Sequence, residues 1–127
     1  MKRFFCFLFL ILACSPYSNN PDLKLARDFI DAYYVFADQN KAKPLTIGMA
    51  KEKIQKEIGL LKGLSHRTGA YRTRDVLFEL KKQLDQDDSV SFLFELTIIV
   101  PELEDQKRLI QITIDKQKNK VSSFNEI

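Results

Sequence analysis

Three arginines and a tyrosine lie close together near the middle of the chain, and their side chains suit the binding of anions. The segment His66–Arg74 reads His-Arg-Thr-Gly-Ala-Tyr-Arg-Thr-Arg. Guanidinium forks match the geometry of phosphate and carboxylate groups. One interpretation is contact with an anionic ligand, a lipid headgroup or a polymer through Arg67, Tyr71, Arg72 and Arg74. The plainer interpretation, preferred on the sequence alone, is a basic loop whose arginines pair with local acids such as Asp75.

Residues for other kinds of chemistry are few. The only histidine is His66, and Cys14, predicted below to be acylated, is the one cysteine outside the predicted leader, so no ligand cluster for zinc remains. The chain has no glycine-rich phosphate loop and no serine in a nucleophile elbow. Asp85, Asp87 and Asp88 are spaced loosely like calcium ligands, but the central glycine and distal glutamate of a calcium loop are missing. The sequence therefore predicts a polar hairpin turn there, with no metal and no cofactor.

Composition and charge narrow the class of protein further. The chain has 127 residues, with 20 Lys and Arg against 17 Asp and Glu, and 45% of its residues are hydrophobic. A protein that binds nucleic acid by neutralising phosphates needs a larger basic excess, and a disordered chain has fewer large apolar residues. The length allows one modest hydrophobic core and hence one domain.

The N-terminus has the pattern of a secretory signal. The basic residues Lys2 and Arg3 precede Phe4–Leu12, an unbroken apolar run of nine residues that ends beside Ala13. A membrane-spanning helix needs about 20 apolar residues, whereas a basic start, a short apolar run and a small residue before the cut describe a cleaved leader. The sequence therefore predicts export and removal of residues 1–13.

The segment Ile11-Leu12-Ala13-Cys14 resembles the lipobox of bacterial lipoproteins. The resemblance implies cleavage before Cys14, acylation of its thiol and amino group, and a polar tether over residues 14–21. Several acyl chains would hold the chain stably at a membrane. The alternative is an incidental cysteine after an ordinary signal. Cys6 would leave with the leader, so the remaining lone thiol could form no intramolecular disulfide. A lone exported thiol favours acylation over the alternative.

The residue after the cysteine bears on which membrane is used. Ser15 stands where an aspartate commonly marks retention in the inner membrane of Gram-negative bacteria. The resemblance therefore implies the cell membrane in general, and the outer membrane, facing the periplasm, if the source is Gram-negative.

Two helical patterns precede any strand. Apolar residues at three- and four-residue spacing predict a first helix from Pro21 to Gln39, capped by Asn40. A second amphipathic helix follows Pro44 and Thr46, after one short turn. The apolar face of the second helix is formed by Ile47, Ala50, Ile54, Ile58 and Leu61. Four aromatic residues of the first helix are predicted to pack in the core, with a ligand pocket as the alternative: Phe29, Tyr33, Tyr34 and Phe36.

The second half of the chain alternates with the two-residue period of strands. Val76, Phe78 and Leu80 begin the pattern, and a polar turn at residues 85–88 separates them from a long strand. The inner faces of the second and third strands are predicted to be Val90, Phe92, Phe94, Leu96, Ile98 and Val100, then Ile110, Ile112 and Ile114. A turn at Lys118-Asn119 leads into Val121–Phe124. The prediction is an α+β fold, with two or three N-terminal helices packed on a curved four-stranded antiparallel meander sheet.

The order and spacing of these elements resemble the nuclear transport factor two-like superfamily, the cystatin-like cone. The segments that carry the resemblance are Ala26–Tyr34, the Asp38–Ala42 turn and the closing Asn119–Phe124. The resemblance implies one α+β domain over residues 22–127. That superfamily contains enzymes, ligand carriers and small exported domains, so it implies no single activity.

The enzymes of that superfamily use an acidic residue inside an apolar cone, often with His or Tyr. This chain departs from the pattern, because His66 falls in a loop and the predicted inner strand faces carry no carboxylate. No catalytic residue is predicted, and the carboxylates worth locating are Asp28, Asp31 and Glu95.

The functional prediction is a lipid-anchored envelope protein that acts as a binding or interaction module, not as an enzyme. The alternatives are a carrier of a small apolar ligand and, third, a proton-transfer enzyme. The second face of the sheet mixes charged residues with Leu77, Leu93, Ile99 and Leu109, which suggests either a solvated face or the interface of a homodimer. No nucleic acid is predicted as a partner.

Overall fold

The computed structural model describes residues 20–62 and 74–127. The predicted leader, Cys14, most of the tether, and Arg67, Tyr71 and Arg72 lie outside the described residues. Helix α1 spans Pro21–Ile30 and continues as a π-helix over Asp31–Val35. Helix α2 spans Gln39–Ala42, a 3-10 turn spans Lys43–Leu45, and α3 spans Gly48–Leu61. The strands are β1 (Asp75–Asp85), β2 (Ser89–Ile99), β3 (Gln106–Asp115) and β4 (Lys120–Glu126).

Helix α1 begins at a side-chain cap and ends earlier than predicted. Asn20 accepts hydrogen bonds from the backbone N–H groups of Asp22 and Leu23 at 3.1 and 3.3 Å, which satisfies donors that the first helical turn leaves open. The prediction of one helix to Gln39 is wrong, because Ala37 adopts a φ of 50° and Asp38 caps α2 by accepting from the Lys41 N–H at 3.1 Å. The predicted C-terminal cap, Asn40, therefore lies inside α2.

The predicted second helix is confirmed as α3, preceded by the predicted short turn. Ala50 and Ile54 form its buried face. Helix α3 begins at Gly48, where φ is 57°, a conformation that a side chain would strain. Just before it, the Ile47 N–H donates to the Val121 carbonyl at 2.9 Å, so the helical layer is attached directly to β4.

The sheet has the predicted antiparallel meander order, β1-β2-β3-β4. Its inner face packs on the helices in one hydrophobic core, in which Phe29 of α1, Ile54 of α3 and Phe92, Phe94 and Phe124 of the sheet are essentially inaccessible to solvent. The period-two pattern predicted this face correctly through Ile98, and Ile110, Ile112 and Ile114 are buried as well. Val100, also predicted on the inner face, lies beyond the end of β2. Helices on one face of an antiparallel sheet make the fold α+β.

Strand β1 contains an irregularity that the alternating pattern did not predict. Leu80 pairs with Phe94, but Lys82 pairs with Leu93, so one extra residue is inserted in β1. Past this bulge the alternation is reversed, and Leu84 pairs with Ser91 on the outer face of the sheet. All residues from 81 to 88 are exposed.

None of the helices in the described ranges is long and apolar enough to cross a membrane.

Candidate ligand-binding site

A small cavity lies on the helix side of the sheet, where the strands extend past the core. It has a volume of about 50 Å³. The strand register explains its composition, because Arg108 pairs with Leu96 and Glu126 pairs with Ile110, which places two charged residues on the face that is apolar elsewhere. The described residues that line the cavity are Tyr34, Arg74, Val76, Leu96, Ile98, Arg108, Ile110 and Glu126.

Arg74 is the residue of the predicted anion-binding segment that the structure describes, and it lines this cavity. Its Nη2 donates a hydrogen bond to the backbone carbonyl of Tyr34 at 3.3 Å. All 17 acidic residues of the chain lie within residues 20–62 and 74–127, and none of the ion pairs formed in those ranges includes Arg74. For Arg74, the expected pairing with an acid such as Asp75 is therefore wrong.

Arg108 is the second guanidinium at the cavity, and it has a carboxylate nearby. Its Nε lies 3.6 Å from Glu126 Oε1, so the two groups form an ion pair. The distance is too long for a good hydrogen bond. Its Nη2 donates to Gln106 Oε1 at 3.4 Å. About half of the Arg108 and Glu126 side chains is exposed, at 46% and 53%, so solvent screens this pair.

Tyr34 brings a phenol to the same cavity. Burial raises the pKa of its hydroxyl, and the negative charges of Glu126 and Glu57 raise that pKa further. The hydroxyl therefore stays protonated at neutral pH and keeps a hydrogen to donate. The position of Tyr34 is fixed by edge-on contact with the Tyr33 ring, at 4.7 Å between centroids.

Four aromatic residues of the first helix were predicted to pack in the core, and three of them do so. Phe29 stacks on Tyr33 at 5.5 Å and contacts Phe124 at 4.9 Å. Phe36 is the exception, because the early end of the helix leaves it 65% exposed, with the Lys41 ammonium 5.1 Å from its ring centre. Packing in or against the core is confirmed for Phe29 and Tyr33, whereas Tyr34 packs against the core and also lines the cavity.

On the helical side of the core, the Tyr33 hydroxyl contacts both carboxylate oxygens of Glu57. It lies 2.6 Å from Oε1 and 2.8 Å from Oε2 of Glu57 in α3. Burial raises the pKa of Tyr33, and the hydrogen bond to Glu57 raises it further, so the hydroxyl acts as the donor. This contact joins the π-helical segment to α3.

None of the three carboxylates considered for proton transfer lines the cavity. Asp28 is partly exposed and pairs with Lys24 at 3.0 Å. Glu95 faces the outer side of the sheet, with Lys107 at 3.8 Å and Lys81 at 4.0 Å. Asp31 begins the π-helical segment, and burial raises its pKa, with Asp28 adding to the rise while Lys41 and Arg27 oppose it.

Sequence reasoning placed Arg74 in an anion-binding segment but did not find Arg108 or Glu126. A signal was present, because continuing the alternation of Ile110, Ile112 and Ile114 backwards puts Arg108 on the inner face. A charged residue at a core-facing position is informative, since burial of a charge requires a partner or a role. In the described part of the chain, no group of three or more His, Cys, Asp or Glu side chains is arranged to hold a metal ion.

Comparison with known proteins gives no family to which the chain can be assigned. No family model, no curated protein sequence and no solved structure matches it.

Proposed function

We propose that this chain is a lipid-anchored protein of the cell envelope whose α+β domain is a binding module, with the Arg74–Arg108 cavity as its binding site. One observation supports the binding function: Arg74 lines a cavity of which half the described lining is apolar, and it pairs with no acidic residue. The structure describes every acidic residue of the chain. A charge in that position is well suited to an anionic group supplied from outside the chain.

The anchor rests on the N-terminal sequence. Residues 11–14 carry the aliphatic residue, the small residue and the cysteine of a lipobox, at the end of an apolar run too short to cross a bilayer. Acylation at Cys14 would attach the folded domain to the membrane through the polar residues that follow it.

The volume of the cavity favours a binding module over a carrier. A pocket that encloses a small molecule usually measures about 300–1,000 Å³. The cavity of about 50 Å³ can receive a head group or a side chain while the rest of the ligand stays outside. The large aromatic residues Phe29, Phe92 and Phe124 fill the core beside it.

Intact-mass spectrometry of the chain from its native membrane tests both parts of the proposal. Under conditions that preserve noncovalent complexes, we expect a mass that starts at Cys14 and includes acyl chains, together with an adduct that is lost on denaturation. A mass without acyl chains would overturn the anchor. Acyl chains with no adduct in any preparation would count against the binding function.

Substitution of the two cysteines provides a matched pair for the anchor. The Cys14→Ala variant should move from the membrane fraction to the soluble fraction, because it has lost the thiol that carries the lipid. The Cys6→Ala variant removes a thiol from the leader and should stay with the membrane. If Cys14→Ala also remained in the membrane fraction, the lipid anchor would be wrong.

A further inference from the structure

We infer that the cavity between Arg74 and Arg108 binds the carboxylate of a small ligand that carries a short apolar group. The inference rests on the proposed binding function and names the chemical class of its ligand.

The charges at the cavity are unbalanced. Among the residues that the structure describes, two guanidinium groups and one carboxylate, that of Glu126, line it. The carboxylate lies beside Arg108, at 3.6 Å, while the only described hydrogen bond of Arg74 is to the neutral carbonyl of Tyr34. An added anion would therefore gain an attraction to Arg74 that no group of the chain supplies.

The donors at the cavity match a planar anion. An arginine has five N–H donors in a rigid fork, of which Arg74 uses one for the Tyr34 carbonyl. The remaining donors can form the paired hydrogen bonds that guanidinium makes with a carboxylate. Tyr34 lines the same cavity, and burial raises the pKa of its hydroxyl further above neutral pH.

The apolar part of the cavity lining favours a carboxylate over a phosphate as the ligand. Four apolar side chains, those of Val76, Leu96, Ile98 and Ile110, make up half of the described lining. A phosphate dianion would lose much of its hydration against such walls, whereas a carboxylate can place a short hydrocarbon on them. The small volume of the cavity limits that hydrocarbon to a few carbon atoms.

The Glu126 carboxylate would compete with such a ligand for Arg108. Its carboxylate already faces Arg108 from the last strand, but the 3.6 Å separation and 53% exposure make the contact weak. Removal of its negative charge should free Arg108 for the ligand and reduce repulsion. The Glu126→Gln substitution should therefore tighten binding, an effect opposite to that of removing either arginine.

Nuclear magnetic resonance titration of the full chain, labelled with ¹⁵N in detergent micelles, tests the inference. The probes are butyrate, the uncharged butyramide and inorganic phosphate. Butyrate should give saturable shifts at the amides of Arg74, Val76, Arg108 and Glu126, and it should bind more tightly than the other two probes. Equal binding of butyramide, tighter binding of phosphate or the absence of saturable shifts would each overturn the inference.

Four variants separate a specific site from attraction by net charge. Arg74→Gln and Arg108→Gln should each weaken butyrate binding about tenfold, the loss expected for a charge-assisted hydrogen bond. Lys107→Gln is the matched control, because it removes the same charge from the adjacent residue on the outer face and should leave the affinity within about twofold. Glu126→Gln should tighten binding about threefold or more, by relief of a screened repulsion. An equal loss in Lys107→Gln, or no gain in Glu126→Gln, would contradict the inference.

The result can be separated from that of the mass measurement. If butyrate fails to bind but the native chain carries an adduct lost on denaturation, the carboxylate assignment is wrong and the binding function stands. If both experiments are negative, the binding function itself is wrong.

Discussion

A single backbone conformation sets the end of the first helical segment. Ala37 has a φ of 50°, in the left-handed region that residues with a β-carbon rarely adopt. The Asp38 N–H donates to the Ala32 carbonyl at 2.8 Å, which satisfies a carbonyl that the helix end would otherwise leave open. Glycine is the residue that usually occupies such a position, so the chain carries strain there.

Replacement of Ala37 by glycine should relieve this strain. We expect Ala37→Gly to raise the free energy of unfolding by about 0.5–1 kcal/mol, measured by urea denaturation. Asn40→Gly is the control, because that residue lies inside α2 and glycine there should lower stability by about 0.3 kcal/mol. A loss of stability in Ala37→Gly would mean that the left-handed conformation is not strained.

The residue scale also explains why the first helix was predicted to be too long. Apolar spacing continues through Phe36 and Ala37, so periodicity alone carries the helix past its true end. The left-handed conformation of Ala37 ends the segment, and the next side chain, that of Asp38, accepts from a backbone N–H and starts α2. Asp at a helix start is a signal in the sequence, and it was outweighed by the apolar pattern.

At the scale of elements, the Tyr33–Glu57 contact joins the π-helical segment to α3. Both carboxylate oxygens of Glu57 lie within 2.8 Å of the phenol oxygen. A π-helical turn shifts the side chains that follow it relative to those of an α-helix. The contact therefore depends on the irregular turn, and it fixes where Tyr33 and its neighbour Tyr34 stand relative to the sheet.

Removal of the Tyr33 hydroxyl should weaken the packing between these helices. We expect Tyr33→Phe to lower the free energy of unfolding by about 1–2 kcal/mol, because a hydrogen bond to a charged, partly buried group is lost. Glu57→Gln keeps an acceptor and should cost less. Urea denaturation of the two variants and the wild-type chain provides the comparison, and unchanged stability of Tyr33→Phe would show that the contact adds nothing to the fold.

Strands were easier to predict than the irregularity within them. Val90, Phe92 and Phe94 alternate with polar residues, and this period fixes which face is buried. The bulge after Leu80 left no mark, because residues 81–88 are mostly polar and the pattern has no apolar phase to interrupt. Charged residues and a bulge in an edge strand such as β1 discourage pairing with other chains.

At the scale of the whole molecule, the fold class follows from the sequence, whereas the candidate site follows only in part. Arg74 belongs to a cluster that the sequence displays, but Arg108 and Glu126 are separated from it along the chain. Only the strand register brings Glu126 opposite Ile110 and Arg108 opposite Leu96, at one end of the inner face. Side chains that meet through tertiary packing have no local signature.

For the outer face of the sheet, the sequence leaves two interpretations open: a solvated face or the interface of a homodimer. Glu95 at its centre pairs with Lys81 and Lys107 of the same chain, so these charges need no partner from a second copy. Leu77 and Leu109 lie to either side and are 59% and 37% exposed. Contact between two copies through this face would bury these leucines.

Native mass spectrometry of the detergent-released chain tests the dimer. The dimer hypothesis predicts a dimeric mass for the wild-type chain and a monomeric mass for the double variant Leu77→Lys, Leu109→Lys, because each lysine would place a charge within the contact. Leu60→Lys, at a position of α3 that is 77% exposed, should leave the dimer intact. A monomeric wild-type chain at all concentrations would rule out the dimer.

The nearest-neighbour order of the strands determines when the chain can complete its core during synthesis. Each strand pairs with the next one along the chain, so the sheet forms by closing short loops at little entropic cost. Attachment of the helical layer is different, because the Lys120 ammonium meets the Pro44 carbonyl across 76 residues. Phe29 cannot contact Phe124 until almost the whole chain has been made. The helices are thus produced first and packed last, and their apolar faces remain exposed to aggregation in the interval.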